Sequence, residues 1–208
     1  MKTLDWYFDF ISPYAYLQST RLDDFSMHAR VRCVPVLFAG LLGHWGQKGP
    51  AEMSSKRLWT YQQVVWQAHR NGIPLKLPPS HPFNPLPLLR LSIALASPVD
   101  VVRRLFAFVW AEGHLPADPV AWAALLDELG VRADQIDAAE VKQQLRANTD
   151  EAIARGVFGV PTGIIDEQRF WGFDSTDMIH AHLAGDPFFA SPAFAAAAQV
   201  ADGVQRKA

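Results

Sequence analysis

Two short segments of this 208-residue chain carry residue types suited to chemistry. The first is Ser12-Pro13, where a strand-like segment gives way to a helical one. Free N–H groups and the macrodipole at a helix N-terminus favour an anion, and a serine hydroxyl there can donate a hydrogen bond to it. The same serine also reads as a plain N-cap, with Pro13 suited to the first helical position because it has no N–H to leave unbonded. The second segment is Gly156-Val157-Phe158-Gly159-Val160-Pro161-Thr162. Proline is poor inside sheets, so a Val-Pro step directly before a strand is unusual. A cis bond is one way to accommodate it. It leaves the valine's backbone groups free to pair with a bound peptide as an added strand. An ordinary turn with Pro161 at the strand start is the other reading.

The remaining reactive side chains form no pattern. There are seven histidines. His180 and His182, two apart on a helix, point to different sides. His28, His44, His69, His81 and His114 lack ligand spacing, so no metal site is expected. Glu112-Gly113-His114 reads as a helix end. Trp59, Trp66, Trp110 and Trp122 fall on helices and read as core. Phe188, Phe189 and Phe194 read as the cover of a groove or a dimer face, or as part of a disordered tail. Neither a Gly-x-Gly-x-x-Gly nor a Walker loop is present, so nothing supports nucleotide binding.

The elements that must hold Ser12 and Val160 follow from periodicity. Residues 4–10 alternate as a strand, and a helix is expected from Pro13 to His28. Val31–Phe38 reads as a second strand, with Pro35 marking an edge or irregularity. Glycines 40, 43, 46 and 49 with Pro50 read as a long loop. Glu52–Asn71 reads as a helix with Leu58, Tyr61 and Val65 on one face and Gly72 as its stop. A proline-rich loop spans Leu77–Pro87. Helices are expected over Leu86–Ala96, Val99–Glu112, Pro119–Leu129 and Ile136–Ala154. Strands return at Thr162–Ile165 and Arg169–Trp171, followed by a helix at Thr176–Leu183. The order is that of a split α/β unit with an inserted helical domain: residues 1–39 with 156–186, an insertion at 40–155, and a tail at 187–208.

Composition narrows the function classes. Half the residues are apolar and 19% are charged, a globular balance. A chain of this length buries about 70% of its unfolded surface and needs no disulfide. The net charge of -2 gives no basic footprint for nucleic acid. A single cysteine, Cys33, excludes an internal disulfide and a Cys-x-x-Cys pair; it reads as a small buried apolar residue. Asp5 and Asp9 interrupt any signal-peptide core, and no apolar run reaches membrane-span length. The expectation is a cytoplasmic protein with neither nucleic-acid nor membrane partners.

Asp9-Phe10-Ile11-Ser12-Pro13-Tyr14-Ala15-Tyr16-Leu17, the Gly156–Thr162 segment and Trp171-Gly172-Phe173-Asp174 resemble 2-hydroxychromene-2-carboxylate isomerases. So do Gly49-Pro50-Ala51-Glu52, Lys56-Arg57 and His81-Pro82-Phe83-Asn84-Pro85. That family belongs to the DsbA-like thioredoxin folds and stands close to kappa-class glutathione transferases. The resemblance spans about residues 4–185 and implies an α/β, thioredoxin-like fold with a large all-helical insertion.

The resemblance also implies a glutathione site. Serine replaces the reactive cysteine, so the thiolate comes from glutathione, and Ser12 hydrogen-bonds that sulfur. Pro13 and Tyr14 flank it, Val160 pairs its backbone with the tripeptide, Phe173 and Asp174 meet its γ-glutamyl end, and Pro161 and Trp171 are further implied cofactor-binding residues. Gln47 stands near a position where kappa enzymes use asparagine. Ser54 and Lys56 fall in the stretch that approaches the ligand. Lys56 would serve the glycyl or the substrate carboxylate, although Lys56 and Arg57 also read as a solvated helix face. Phe83 and Asn84 are implied substrate contacts. The expected partners are glutathione, a small aromatic carboxylate and a second copy of the chain. The implied reaction is glutathione-dependent cis–trans isomerisation of 2-hydroxychromene-2-carboxylate to trans-o-hydroxybenzylidenepyruvate in aromatic degradation. The alternatives are a kappa-like glutathione transferase or peroxidase, and a non-catalytic thioredoxin-fold module that binds peptides at Val160-Pro161.

Overall fold

The computed structural model describes residues 1–201 and 203. Strand β1 (Lys2–Phe8) is apolar on both faces, with Leu4, Trp6, Tyr7 and Phe8 fully buried. Such a strand belongs in the middle of a sheet covered on both sides. It pairs in parallel with β2 (Ala29–Pro35) and antiparallel with β3 (Thr162–Ile165), which pairs antiparallel with β4 (Gln168–Trp171). The order is β2-β1-β3-β4. Pro35 closes β2 on the sheet's edge, where its missing N–H costs no ladder bond.

Between β1 and β2 the single helix expected over Pro13–His28 is two: α1 (Pro13–Ser19) and α2 (Leu22–Ser26). The Ser19 and Thr20 hydroxyls donate to the Tyr16 and Leu17 carbonyls at 2.6 and 2.8 Å, competing with the helical main chain. Helix α3 (Phe38–Trp45) forms inside the glycine-rich stretch expected to be a loop. Tertiary contacts override propensity there. Leu41 is fully buried. The N–H groups of Leu37 and Phe38 are satisfied by the Thr149 hydroxyl and the Asp9 carboxylate.

Helix α4 (Ser54–Arg70) buries Thr60, Val64 and Ala68, and it packs on α1. The face expected to be core is turned outward: Leu58 is 67% exposed and Val65 46%. The indoles of Trp59 and Trp66 are likewise outside, whereas Trp110 is fully buried. Residues of small volume at spacings of four let α4 lie close to its neighbour, and the larger side chains take the opposite side.

The rest of the helical block is α5 (Leu86–Ala94), α6 (Val99–Trp110), α7 (Pro119–Glu128), α8 (Ala133–Ile136) and α9 (Ala139–Ala154). The helix expected over Ile136–Ala154 is interrupted at Asp137-Ala138, where Asp137 is held by Arg90 at 3.0 Å and Lys142 at 3.3 Å. Helix α6 is strongly amphipathic. Its Phe106 lies 6.1, 5.6 and 4.7 Å, ring to ring, from Trp6, Phe8 and Phe10. One apolar cluster thus joins this face of the sheet to α1, α5 and α6. A second, containing Tyr7, Val34, Leu41, Ala152, Val157 and Val160, fills the space between the other face, α3 and α9.

Helix α10 (Thr176–Leu183) follows β4, and α11 (Pro192–Ala196) lies beyond it. Phe189 meets Phe170 of β4 and His182 edge to face, and Phe194 meets Phe189 in the same way. This part of the tail therefore seals the β4 side of the sheet. Residues 202 and 204–208 of the expected tail lie outside the described ones. Among the described residues no helix is long and apolar enough to cross a membrane.

Candidate active site

The turn from β1 into α1 is pinned at each backbone group. Ile11 N–H donates to the Asp9 carboxylate at 3.0 Å, and Ser12 N–H donates to the Asp9 carbonyl at 3.0 Å. The indole N–H of Trp110 donates to the Phe10 carbonyl at 2.8 Å. His81 Nε2 lies 2.8 Å from the Ile11 carbonyl oxygen. Ser12 is then delivered to the N-cap of α1, with its Oγ accepting from Ala15 N–H at 3.2 Å. That hydroxyl also donates to the Val160 carbonyl at 3.2 Å. The two segments singled out by residue type therefore meet.

Val160-Pro161 is a cis bond, as is His81-Pro82. Among the described residues the Val160 N–H has no hydrogen-bond partner, because the β1–β3 pairing begins only at Thr162. Val160 thus presents an open backbone edge beside Ser12. Two glycines let neighbouring side chains close in beside that edge. A Cβ on Gly159 would stand 2.5 Å from Trp171 Nε1, and one on Gly172 would stand 2.4 Å from Asp174 Oδ1. Gly172 also has φ +88°, which L side chains avoid. Its carbonyl accepts from Gln18 Nε2 and Ser175 Oγ, which fixes the approach of the Phe173–Ser175 turn.

These residues line a cleft of about 560 Å³, a size suited to a small ligand. Of the expected site residues, Ser12, Pro13, Tyr14, Gln47, Val160, Trp171, Phe173 and Asp174 line it. Pro161 is buried beneath Val160 and accepts from Gly172 N–H. Ser54, Lys56, Phe83 and Asn84 are not in the lining. Ser54 and Lys56 are exposed on the first turn of α4. Phe83 packs behind His81, 6.0 Å ring to ring. Asn84 accepts from Leu86 N–H with its side chain.

Several lining residues were not among the expected set: Phe38, Leu42, Lys48, Trp59, Gln63 and His81. Tyr14 donates to Gln63 at 2.6 Å across the α1–α4 gap. The His-Pro-Phe-Asn-Pro motif offered His81, but isolated histidines carry no spacing signal. Phe38 and Leu42 were hidden because the glycine-rich stretch reads as loop. Among the described residues Lys48 is the one lysine or arginine in the lining, which also includes the acidic Glu52 and Asp174.

The electrostatics follow burial. Asp9 is fully enclosed, and burial pushes its carboxyl up to about 7 against the pull of two backbone N–H bonds. Burial holds the His81 imidazole below its ordinary value, so it is neutral near pH 7. Tyr14 is raised by burial and then by the Asp174 charge. Cys33, half-buried in β2, is pushed up to about 12 by burial, which keeps it a thiol.

The family model described as a DSBA-like thioredoxin domain matches residues 3–184. The chain is 31% identical to glutathione s-transferase kappa 2 of Caenorhabditis elegans, over 90% of this chain and 93% of that one. It is 28% identical to 2-hydroxychromene-2-carboxylate isomerase of Sphingobium xenophagum, over 88% of this chain and 98% of that one. A solved 2-hydroxychromene-2-carboxylate isomerase superposes with a TM-score of 0.79 at 24% identity, covering 88% of this chain and 95% of that one.

Proposed function

The chain belongs to the DSBA-like thioredoxin domain family, and on that premise we propose that it is a glutathione-dependent isomerase of a small aromatic carboxylate. The specific substrate is 2-hydroxychromene-2-carboxylate and the product trans-o-hydroxybenzylidenepyruvate, placing the enzyme in aromatic degradation. The observation that carries this reading is Ser12 Oγ, 3.2 Å from the Val160 carbonyl, in a chain whose one cysteine lies away in β2. A thioredoxin-type site with serine at the helix N-terminus has no disulfide of its own and is built to receive a thiol.

The residues fit glutathione. The unpartnered Val160 N–H and the Val160 carbonyl can pair with the tripeptide backbone as an added strand. Gly159 and Gly172 let Trp171 and Asp174 stand close beside that edge. Asp174 offers a carboxylate to the γ-glutamyl ammonium, and Gln47 and Lys48 stand at the lining for a carboxylate. Glutathione, when bound, supplies a thiolate that adds reversibly to the conjugated system, so that a double bond becomes free to rotate. Ser12 donates to the sulfur and, with the α1 N-terminus, favours its ionised form. Phe38, Leu42 and Phe158 offer an apolar wall for the aromatic ring. Lys56, exposed one turn into α4, is a second candidate for the carboxylate.

The test follows the ultraviolet change of the chromene while free thiol is titrated. Isomerisation with glutathione present below the substrate concentration, and no loss of thiol, supports the isomerase. Activity without any glutathione overturns the reading. The kappa-type relative at 31% identity favours a second reading, a glutathione transferase, which would consume one thiol per product.

A homodimer also belongs to this proposal. Leu58, Trp59 and Trp66 are 67, 66 and 53% exposed along one side of α4. An apolar stripe of this kind marks an association surface, and Trp59 belongs to the cleft lining as well. Sedimentation of the wild type and of Trp66→Glu tests it: a monomeric wild type removes the second copy.

A further inference from the structure

His81 belongs to a segment that carries the family resemblance but is not among the site residues it implies, yet it touches the turn that presents Ser12. Its Nε2 lies 2.8 Å from the Ile11 carbonyl oxygen, and its Nδ1 lies 2.8 Å from the Tyr61 hydroxyl. A carbonyl oxygen only accepts, so Nε2 must carry the proton. In a neutral ring Nδ1 is then the acceptor, and the Tyr61 O–H is its donor. The Tyr61 hydroxyl also lies 3.3 Å from the His81 carbonyl oxygen, and the ring nitrogen at 2.8 Å is the nearer acceptor, which sets the direction of the path from α4 to the Ser12 turn.

The surroundings hold this geometry from several sides. Arg57 donates to the Ala51 and His81 carbonyls at 2.9 and 2.7 Å, and its guanidinium lies 5.1 Å from the Tyr61 ring centre. The imidazole stands 5.5 Å from the Trp110 ring, and Trp110 itself donates to Phe10. Arg57 is the charged group that faces the pair, and its positive charge disfavours a second proton on the ring.

We infer that His81, as the Nε2–H tautomer donating to Ile11 and receiving from Tyr61, is the positioning residue for Ser12. It does not contact the reacting sulfur. It sets the Ile11 carbonyl, hence the peptide plane that leads into Ser12, hence the line along which the Ser12 hydroxyl can reach a ligand. This inference rests on the glutathione reading of the cleft. Misplacing a catalytic group by about 1 Å costs on the order of 100-fold in favourable cases, so a loosened turn is expected to show.

The experiment uses three variants of the full chain. Glutamine places an amide N–H near the position of Nε2, so His81→Gln should keep the donor to Ile11. His81→Leu removes it, and Tyr61→Phe removes only the outer partner. Nitrogen chemical shifts of His81 in the ligand-free wild type should report the Nε2–H tautomer; the Nδ1–H tautomer overturns the inference without any ligand present. Calorimetry on the wild type with glutathione comes next, and no binding there sinks the glutathione reading rather than the tautomer. With binding established, the ionisation of bound glutathione is followed by thiolate absorbance against pH. His81→Leu should shift that profile to higher pH and lower kcat about tenfold, with a smaller change in KM. His81→Gln should stay near the wild type, and Tyr61→Phe should fall between. If His81→Leu does not fold, the Gln and Phe variants still decide. A glutamine variant more defective than Tyr61→Phe, or a thiolate profile that Tyr61→Phe leaves unmoved, overturns the positioning role.

Discussion

The Ser12 hydroxyl points its single proton at the Val160 carbonyl oxygen, 3.2 Å away. It cannot donate to a ligand sulfur at the same time. A ligand N–H delivered to that carbonyl would replace the hydroxyl as its donor and release the proton toward the sulfur. In the proposed glutathione reading, backbone pairing and thiolate stabilisation are thus linked through one oxygen atom. Glutathione methylated on its cysteinyl nitrogen lacks this N–H. It should bind about tenfold more weakly and ionise at higher pH once bound. Calorimetry and thiolate absorbance measure the two effects, and equal behaviour of the two peptides would show that Val160 does not receive that N–H.

In the proposed glutathione reading, Ser12→Ala removes both the sulfur donor and the N-cap. Loss of one preorganised donor costs on the order of 100-fold in rate, so kcat at saturating glutathione should fall by about that factor. The cap to Ala15 N–H should appear separately, as about 1 kcal/mol of stability. Denaturant titration beside the kinetics separates the two. An alanine variant with unchanged kcat would take Ser12 out of the chemistry and leave it a cap.

Asp9 makes the stability of the site's foundation depend on pH. Burial raises its carboxyl to about 7 in the folded chain, whereas in the unfolded chain it titrates near its ordinary value. Between about pH 4 and about pH 7 the folded state therefore holds a proton that the unfolded state has lost. Stability contributed here falls as pH rises across that window, at no more than about 1.4 kcal/mol per pH unit. His81 acts oppositely: its lowered value means stability is gained as pH rises toward the ordinary imidazole range. Comparing wild type with Asp9→Asn isolates the carboxyl, because His81 is common to both. The asparagine variant should gain on the wild type as pH is raised through the window. A constant difference would mean that Asp9 does not titrate there.

The reach of the sequence can be traced residue by residue. Ser12 and Val160 were legible because proline leaves few backbone choices on either side of a strand or helix end. The strand Thr162–Ile165 and the helix Thr176–Leu183 were legible because their boundaries carry turn residues. Helix α3 was not, since its glycines argue for loop and only Asp9 and Thr149, distant in sequence, supply the partners that hold its first turn. The outward face of α4 was not legible either. Leu58 and Val65 look like core by type, and only the close approach of Thr60, Val64 and Ala68 to neighbouring elements reverses the choice. His81 was invisible as a site residue because its partners lie 70 and 20 positions away.

The cleft places its cation at Lys48, while Lys56 stands outside the lining. A carboxylate ligand should therefore feel the first lysine more than the second. An exposed ion pair is worth about 1 kcal/mol, so Lys48→Ala should raise the half-saturating concentration of the carboxylate partner about fivefold. Lys56→Ala should change it less than about twofold by the same measure. Steady-state titrations of each variant against glutathione and against the aromatic acid tell which carboxylate is involved. The reverse ranking would assign the role to Lys56.

Asp174 tests whether the γ-glutamyl end is bound where the geometry offers a carboxylate. Its side chain is exposed at the cleft wall on the Phe173–Ser175 turn, with Gly172 giving way beside it. The ammonium it would bind is remote from the sulfur, and its contact is the same before and during the reaction. Such an interaction lowers the concentration of ligand needed without lowering the barrier from the bound state. Asp174→Ala should therefore raise the half-saturating glutathione concentration about fivefold to tenfold and leave the rate at saturation within about twofold. Asp174→Asn should recover part of the loss through its carbonyl, though not the charge. Raised salt should weaken the wild type toward the alanine variant, because an exposed pair is screened. If the saturated rate fell instead and the half-saturating concentration held, Asp174 would be acting on the reacting centre, and the orientation of the tripeptide along Val160 would have to be reversed.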